Sequence, residues 1–411
     1  MLVGALLKRA RLPAALVFAL MLPFLLESWA VPGLRVASYT FSLVLKELLI
    51  LVLPFIVFSF ISASIIRIGS GALLFTLVLV FCVFTSNLMA ISMGYMVGVW
   101  AVPMLSLPLG GIQYESYLAS ALYVSLPTLV TNRQALIMGL VVGLILNIGH
   151  HSRLKSLIFW MSDLSFFFLK RLFIPILPLF VLGFAFKLHS DGILHSALQI
   201  YGKVFILVSF TQLVWLLVLF LLASSGSLRC CWQTIKNVLP ASLTGLGTIS
   251  SAASMSVLIV CSEKNTDAPV LIRSIIPATI NIHTVGSAIG LTILTLATMR
   301  TFGMALPPFS VFMGFAFYFA LAKFSVVAVP GGVILIAGPL LQSLLGFSDD
   351  MLGLITAVYM IFDPFGTAIN VTGNGAFAIL LTRFCQRWHI IRWKNGNGDS
   401  DDTIRRLQGR R

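Results

Sequence analysis

The chain is short of charge. Of its 411 residues only 10% are charged, against about 25% in soluble domains, and 59% are hydrophobic, which excludes a water-soluble fold. The strict apolar/polar alternation of lipid-facing strands is also missing. Its apolar stretches run without interruption, so a barrel is excluded and membrane-spanning helices are left. Cysteine is scarce: the five residues, Cys82, Cys230, Cys231, Cys261 and Cys385, show neither a disulfide framework nor zinc-ligand spacing. They fall in apolar runs or in loops expected to face the cytoplasm, where thiols stay reduced. No G-x-S-x-G elbow occurs, and His283 has no Glu or His at ligand spacing, so nothing supports an enzyme.

What the chain has is a series of apolar runs. Leu12 to Trp29, Leu48 to Ile66, Leu73 to Trp100, Ala135 to Ile148 and Val204 to Ala223 approach or exceed the roughly 20 residues that cross a bilayer as a helix. Lys8, Arg9 and Arg11 precede the first run as they would in a secretory signal, but that run is longer than a signal core and no small-residue cleavage site follows it. The formal charge of +14 lies where the positive-inside rule wants it rather than in a nucleic-acid patch, so no nucleic-acid partner is expected. Basic residues cluster at Lys8 to Arg11, Arg153 with Lys155, Arg229 with Lys236, Lys264 with Arg273, and the tail from Arg383. Pro103 to Asn132 and Asp191 to Gln199 carry none. The expectation is a multi-pass protein of the inner membrane with both termini cytoplasmic, its basic tail (386–411) touching anionic lipid.

The two halves behave differently. Residues 1–226 read as six ordinary spans, mainly a scaffold, whereas 227–385 carry polar breaks inside apolar stretches. Val238 to Thr248 and Val257 to Cys261 are too short to cross and read as a hairpin that enters and leaves on one side. A span from Val270 to Met299 follows, interrupted by Asn281-Ile282-His283-Thr284. The pattern then repeats: Phe309 to Phe347 is broken at Val329-Pro330-Gly331-Gly332, and a span from Met351 to Thr382 is expected to be interrupted at Asp363-Pro364 and at Asn370 to Asn374. Non-helical backbone at membrane depth is tolerated only inside protein or against a wet cavity. Two hairpin-plus-broken-helix units in succession therefore predict an inverted-repeat transporter core, with helix ends available to a carboxylate or a cation. The fold class expected is all-α polytopic: eight transmembrane helices plus two re-entrant helical hairpins.

Asp363, Thr367, Asn370 and Asn374 sit at offsets that fall within an arc of roughly 60° on a helix, so one face carries all four. An ionisable group in such a segment marks a functional site, and an ammonium or a metal cation is its natural partner. An internal pairing of Asp363 with Lys323 is the structural alternative.

At these residues the sequence resembles the dicarboxylate/amino acid:cation symporter family, the glutamate-transporter fold. Lys46 to Ser70 is similar to the family's second span, Leu239 to Asn265 to its first hairpin with a serine-rich tip, and Ala278 to Ile282 to its seventh-helix motif. Val329 to Gly331 resembles the second hairpin tip and Ala368 to Gly373 the eighth-helix motif. The resemblance implies a homotrimer in which a substrate-carrying part slides against a scaffold. It also implies that Ser250 and Ser251 meet the substrate carboxylate, Asp363 the amino group with Thr367 beside it, and Asn370 the main-chain carboxylate, while Val329 to Gly331 closes the outer gate.

The departures from the family pattern bear on substrate and coupling. Gly366 stands where the family presents an Arg or its neutral replacement, and Val285 where it presents a Thr that reaches the substrate side chain. With no group suited to a side-chain carboxylate, a neutral amino acid is expected rather than glutamate or aspartate. Two family carboxylates fall on His283 and Asn374, and a small hydroxyl residue on Lys323. Asn281, His283, Lys323 and Asn374 are thus the positions expected to carry coupling. Sodium wants oxygen ligands and negative charge, so its role is expected to be weakened, with the Lys323 ammonium in place of a bound cation and His283 open to a proton. No metal site or cofactor beyond a coupling Na+ or H+ is expected. A sodium-coupled acidic-substrate symporter, an anion-leak channel and a non-transporting relative are the alternatives.

Overall fold

The long apolar runs become helices because, away from water, a helix satisfies every backbone polar group within its own segment. The computed structural model describes residues 11–26, 32–68, 73–105, 118–122, 126–127, 130–148, 151–190, 193–326 and 331–388. Among the described residues there are fourteen α-helices and no strand. The first six regions of helix are α1 (Arg11–Leu25), α2 (Pro32–Ile68), α3 (Leu73–Ala101), α4 (Asn132–Ile148), α5 (Ser152–Phe167) continued by α6 (Ile174–Ser190), and α7 (Ile193–Ala223). Then come α8 (Leu228–Thr248), α9 (Ser251–Glu263), α10 (Pro269–Thr279), α11 (Val285–Thr301), α12 (Phe309–Ala322), α13 (Gly332–Leu345) and α14 (Asp349–Arg387).

Leu77–Leu105, Tyr201–Ala223 and Asp349–Arg387 are each long and apolar enough to cross a membrane. Two further spans qualify as bent pairs, Pro32–Leu48 with Leu51–Ala63 at 42° and Ser152–Phe173 with Pro175–Ser190 at 55°. The second bend has identifiable causes, a π-helical turn at Phe168–Phe173 followed by Pro175.

Packing does not follow chain order. Helices α4, α5 and α6 gather on α2 and α1 packs on α6, whereas α3 and α7 precede residue 226 yet pack on α11 and α14. At the α2–α6 contact the Ser42 hydroxyl donates to the Phe180 carbonyl (2.9 Å), and a Cβ at Gly183 would collide with Ser42 and the Ser38 backbone. Across the two groups, Lys46 on α2 pairs with Asp349 at the start of α14 (2.6 Å) and with Glu47 (3.0 Å). Gln342 on α13 donates to the other Asp349 oxygen (2.9 Å), and the Tyr39 hydroxyl to Asp350 (3.3 Å).

One expectation is corrected. The final span is not interrupted: α14 is continuous from Asp349 to Arg387, with Pro364 inside it and Asn370 to Asn374 helical. Proline removes one backbone hydrogen bond, and the packing of a helix buried along most of its length holds it in register. The break in the preceding span is as expected, between α10 and α11. Val329 and the tail from residue 389 lie outside the described residues.

Candidate functional site

The site is assembled from chain interruptions. In the first hairpin, α8 ends at Ile249 in the left-handed region (φ 51°), an uncommon conformation for a β-branched residue. Thr248 stabilises the turn by donating its hydroxyl to the Ser250 carbonyl (3.1 Å) and accepting from the Ser250 N–H (3.3 Å). Ser250 then caps α9, its hydroxyl accepting from Ala253 N–H (3.3 Å). At the open end, Asn237 on α8 donates to Asn265 just past α9 (2.7 Å), so the segment returns to the level it left. α8 and α9 thus pack side by side as a helical hairpin.

The interruption between α10 and α11 exposes peptide groups that need partners, and Asn87 on α3 supplies both. Its Nδ2 donates to the Ile282 carbonyl (2.7 Å) and its Oδ1 accepts from Thr284 N–H (3.2 Å). In the second hairpin, α12 passes through a 3-10 turn at Lys323–Ser325, and the chain re-enters α13 through Gly331, whose φ of 72° favours glycine. The Gly331 N–H donates to Asp363 Oδ2 (2.8 Å).

The interruptions meet in one place. A cavity of about 30 Å³, room for about two waters, is lined by Ile249 and Ser251, by Asn281, Thr284 and Ser287, by Val326, Gly332 and Val333, and by Asp363, Thr367 and Asn370. The N-termini of α9, α11 and α13 thus point their partial positive charge at the space that Asp363 borders. Three helix N-termini suit a carboxylate and the Asp363 carboxylate suits an ammonium, so the arrangement complements a zwitterion. Neither Lys nor Arg lines the cavity among the described residues. The pairing of Asp363 with Lys323 is not formed: Lys323 is fully buried, its Nζ has no hydrogen-bond partner, and it lies 5.0 Å over the Phe319 ring.

Of the expected site residues, Ser251, Asn281, Asp363, Thr367 and Asn370 line this cavity, and Gly331 reaches it through Asp363. Ser250 is spent on the helix cap. Val285 does not line the cavity; it packs against Gly373, where an added Cβ would come within 2.7 Å of it. Gly366 lies on a second, smaller cavity that shares Asp363 and Ser287 with the first. Asn374 lies one turn beyond the cavity and accepts from the Thr279 hydroxyl (3.2 Å). His283 hydrogen-bonds Ser86 through Nε2 (2.9 Å) and stacks on Phe377 with centroids 4.1 Å apart. Its Nδ1 has no partner.

Buried side-chain oxygens without partners are present at Asn281, Thr284 and Ser325, and the buried Nζ of Lys323 also has none.

Sequence reading missed Asn87, Ser287 and Tyr359. Ser287 clasps Asn370 twice, its N–H donating to Oδ1 (3.0 Å) and its hydroxyl accepting from Nδ2 (2.7 Å). Tyr359 extends the Asp363 stripe by one turn, an i−4 spacing that was legible. Asn87 was legible only as a lone amide in an apolar run.

No curated protein matches the chain. A family model does, the sodium:dicarboxylate symporter family, over residues 12–384. That match covers most of the 411 residues, and the two hairpins, the broken span and the buried Asp363 fall within it. The chain therefore belongs to the sodium:dicarboxylate symporter family, whose members are membrane transporters that couple dicarboxylate or amino acid uptake to a cation.

Proposed function

We propose that the protein is a secondary transporter for a small, neutral amino acid. One observation carries this reading: among the described residues, a single buried carboxylate and three helix N-termini border a cavity that no basic side chain lines. The substrate ammonium goes to Asp363 and its carboxylate to the helix ends at Ser251 and Gly332. An acidic side chain would enter without a counter-ion, and desolvating an unpaired carboxylate costs several kcal/mol.

Coupling in this reading departs from sodium. Lys323 and Asp363 are both buried and, with both ionised, balance each other in sign, so the substrate-carrying part needs no bound ion to be neutral. The Lys323 ammonium takes the place of a cation, and either proton movement or exchange drives transport. We further propose an elevator-type alternation of eight spans and two hairpins, in which α3 and α7 travel with α8–α14 against a scaffold of α1, α2 and α4–α6, in an inner-membrane homotrimer with cytoplasmic termini. The packing of α3 and α7 on α11 and α14 supports that division.

The test is uptake into proteoliposomes under an imposed sodium gradient and, separately, an imposed proton gradient, with a panel of neutral and acidic amino acids. Saturable uptake of a neutral amino acid that persists without sodium is expected. Sodium-driven aspartate or dicarboxylate accumulation would replace this reading with the alternative, and non-saturable anion flux would replace it with a channel.

A further inference from the structure

The start of α11 is held from outside by three side-chain amides. The first N–H groups of a helix have no partner within it, and the break before α11 leaves them deep in the protein. Asn87 on α3 accepts from the Thr284 N–H (3.2 Å), Gln212 on α7 donates to the Gly286 carbonyl (2.9 Å), and Asn370 on α14 accepts from the Ser287 N–H (3.0 Å). Three other helices thus fix the backbone from 284 to 287, which makes Ser287 a rigid anchor. Of the three amides, only Asn370 also lines the cavity beside Asp363.

A carboxamide turned over by 180° keeps its shape and exchanges a donor for an acceptor, so an unrestrained asparagine offers a ligand either face. Ser287 removes that freedom. It grips the buried Asn370 amide at both ends, with Oδ1 taking the backbone N–H and Nδ2 donating to the hydroxyl (2.7 Å). A backbone N–H only donates, so the atom facing it must be the oxygen; the flipped amide would set two donors 3.0 Å apart. The nitrogen carries two hydrogens, one spent on Ser287 Oγ and the other left for the cavity. The N–H on Oδ1 belongs to the positive end of α11, and hydrogen bonds in series strengthen one another, so the remaining hydrogen is a better donor than that of a free amide.

We propose that Ser287 is a positioning residue that locks the Asn370 amide with its nitrogen toward the cavity, so that this amide donates to the carboxylate of a bound amino acid and accepts nothing from it. The inference rests on the neutral-amino-acid reading of the site. Ser287 acts through Asn370, and its contribution is to pre-orient a donor that would otherwise be ordered only on binding. A ligand that presents a neutral amide in place of the carboxylate gains little from that orientation. The hydroxyl of Ser287 therefore matters for one class of ligand and not for the other.

The experiment is a titration of the purified full-length protein with L-alanine, L-alaninamide and L-aspartate, read by thermal stabilisation, on wild type, Ser287→Ala, Ser287→Thr and Asn370→Asp. Ser287→Ala keeps the backbone N–H and loses the hydroxyl, so alanine should bind roughly fivefold to tenfold more weakly while alaninamide changes less than about twofold. Ser287→Thr retains the hydroxyl and should bring alanine back to within about threefold of wild type. Asn370→Asp keeps an acceptor for the Ser287 N–H but turns an oxygen to the cavity, so alanine affinity should fall about 100-fold with the protein still folded. An equal fall for alanine and alaninamide in Ser287→Ala, or a lower melting temperature with both affinities unchanged, overturns the positioning role and leaves a helix cap. Alanine binding retained in Asn370→Asp overturns the orientation of the amide. If alaninamide binds too weakly to measure, the threonine rescue and Asn370→Asp still decide. Aspartate as the only ligand overturns the neutral-amino-acid reading alone, and the same comparison of L-aspartate with its α-amide then decides the role of Ser287. No ligand at all overturns both.

Discussion

Gly331 is where backbone geometry and the Asp363 carboxylate meet, and replacing it with alanine tests the closed site. Two costs arise. The first is conformational: φ at Gly331 is 72°, and an L-residue in the left-handed region is disfavoured by about 1–2 kcal/mol. The second is steric. A Cβ there would overlap the Met360 terminal methyl and approach its sulfur to 2.6 Å. Met360 is flexible but buried, and displacing it within a packed interior costs about 1–3 kcal/mol. Together the closed tip is destabilised by about 2–5 kcal/mol relative to a tip that has swung away from Asp363, and loses the 2.8 Å bond from the Gly331 amide. Since each 1.4 kcal/mol is tenfold, substrate affinity should fall by about 30-fold to 3,000-fold with the protein still folded. Adding Met360→Ala removes the overlap and leaves the φ cost, so the double variant should recover to within about 5-fold to 30-fold of Met360→Ala alone. Amino acid binding by isothermal titration and melting temperature by scanning fluorimetry measure the two effects separately. Wild-type affinity in Gly331→Ala would mean that the tip does not close on Asp363 as described.

Three further outcomes are expected. Asn87→Leu strands the Ile282 carbonyl and the Thr284 amide, a loss of about 2–6 kcal/mol visible in thermal denaturation, and Asn87→Asp, which keeps only the acceptor, should fall between. Lys46→Met and Asp349→Asn should show a coupling of about 1 kcal/mol in a double-mutant cycle on stability, weakened by salt because Asp349 is 39% exposed; a coupling of zero would remove the contact between α2 and α14 as a stabilising link. Lys323→Met, of similar shape and without the unpaired buried charge, should melt no lower than wild type while losing uptake, and retained uptake would remove the ammonium from the coupling scheme.

Much of the site was legible because chemistry with few solutions leaves marks in sequence. A Ser-rich cluster between two legs too short to cross can be a hairpin tip, and Asp363, Thr367 and Asn370 share a face by helical periodicity alone. Sequence overreached at α14, where Pro364 and the Asn370 to Asn374 stretch read as breaks but remain helical, since surrounding packing outweighs local propensity. Val285, placed at the site by resemblance, packs against Gly373 and does not line the cavity.

By itself the sequence determined that the chain is helical and built for a bilayer, because hydrocarbon admits no other use for long, charge-poor apolar runs. It also determined that the last part carries polar breaks and a buried carboxylate. Only the tertiary structure decided which groups meet. The partners of Asp363 and of the 281–284 break come from Gly331 and from Asn87, one 32 residues and the other some two hundred residues away in the chain. Hydrogen bonds over such separations depend on how helices pack, and no local pattern of residues encodes them.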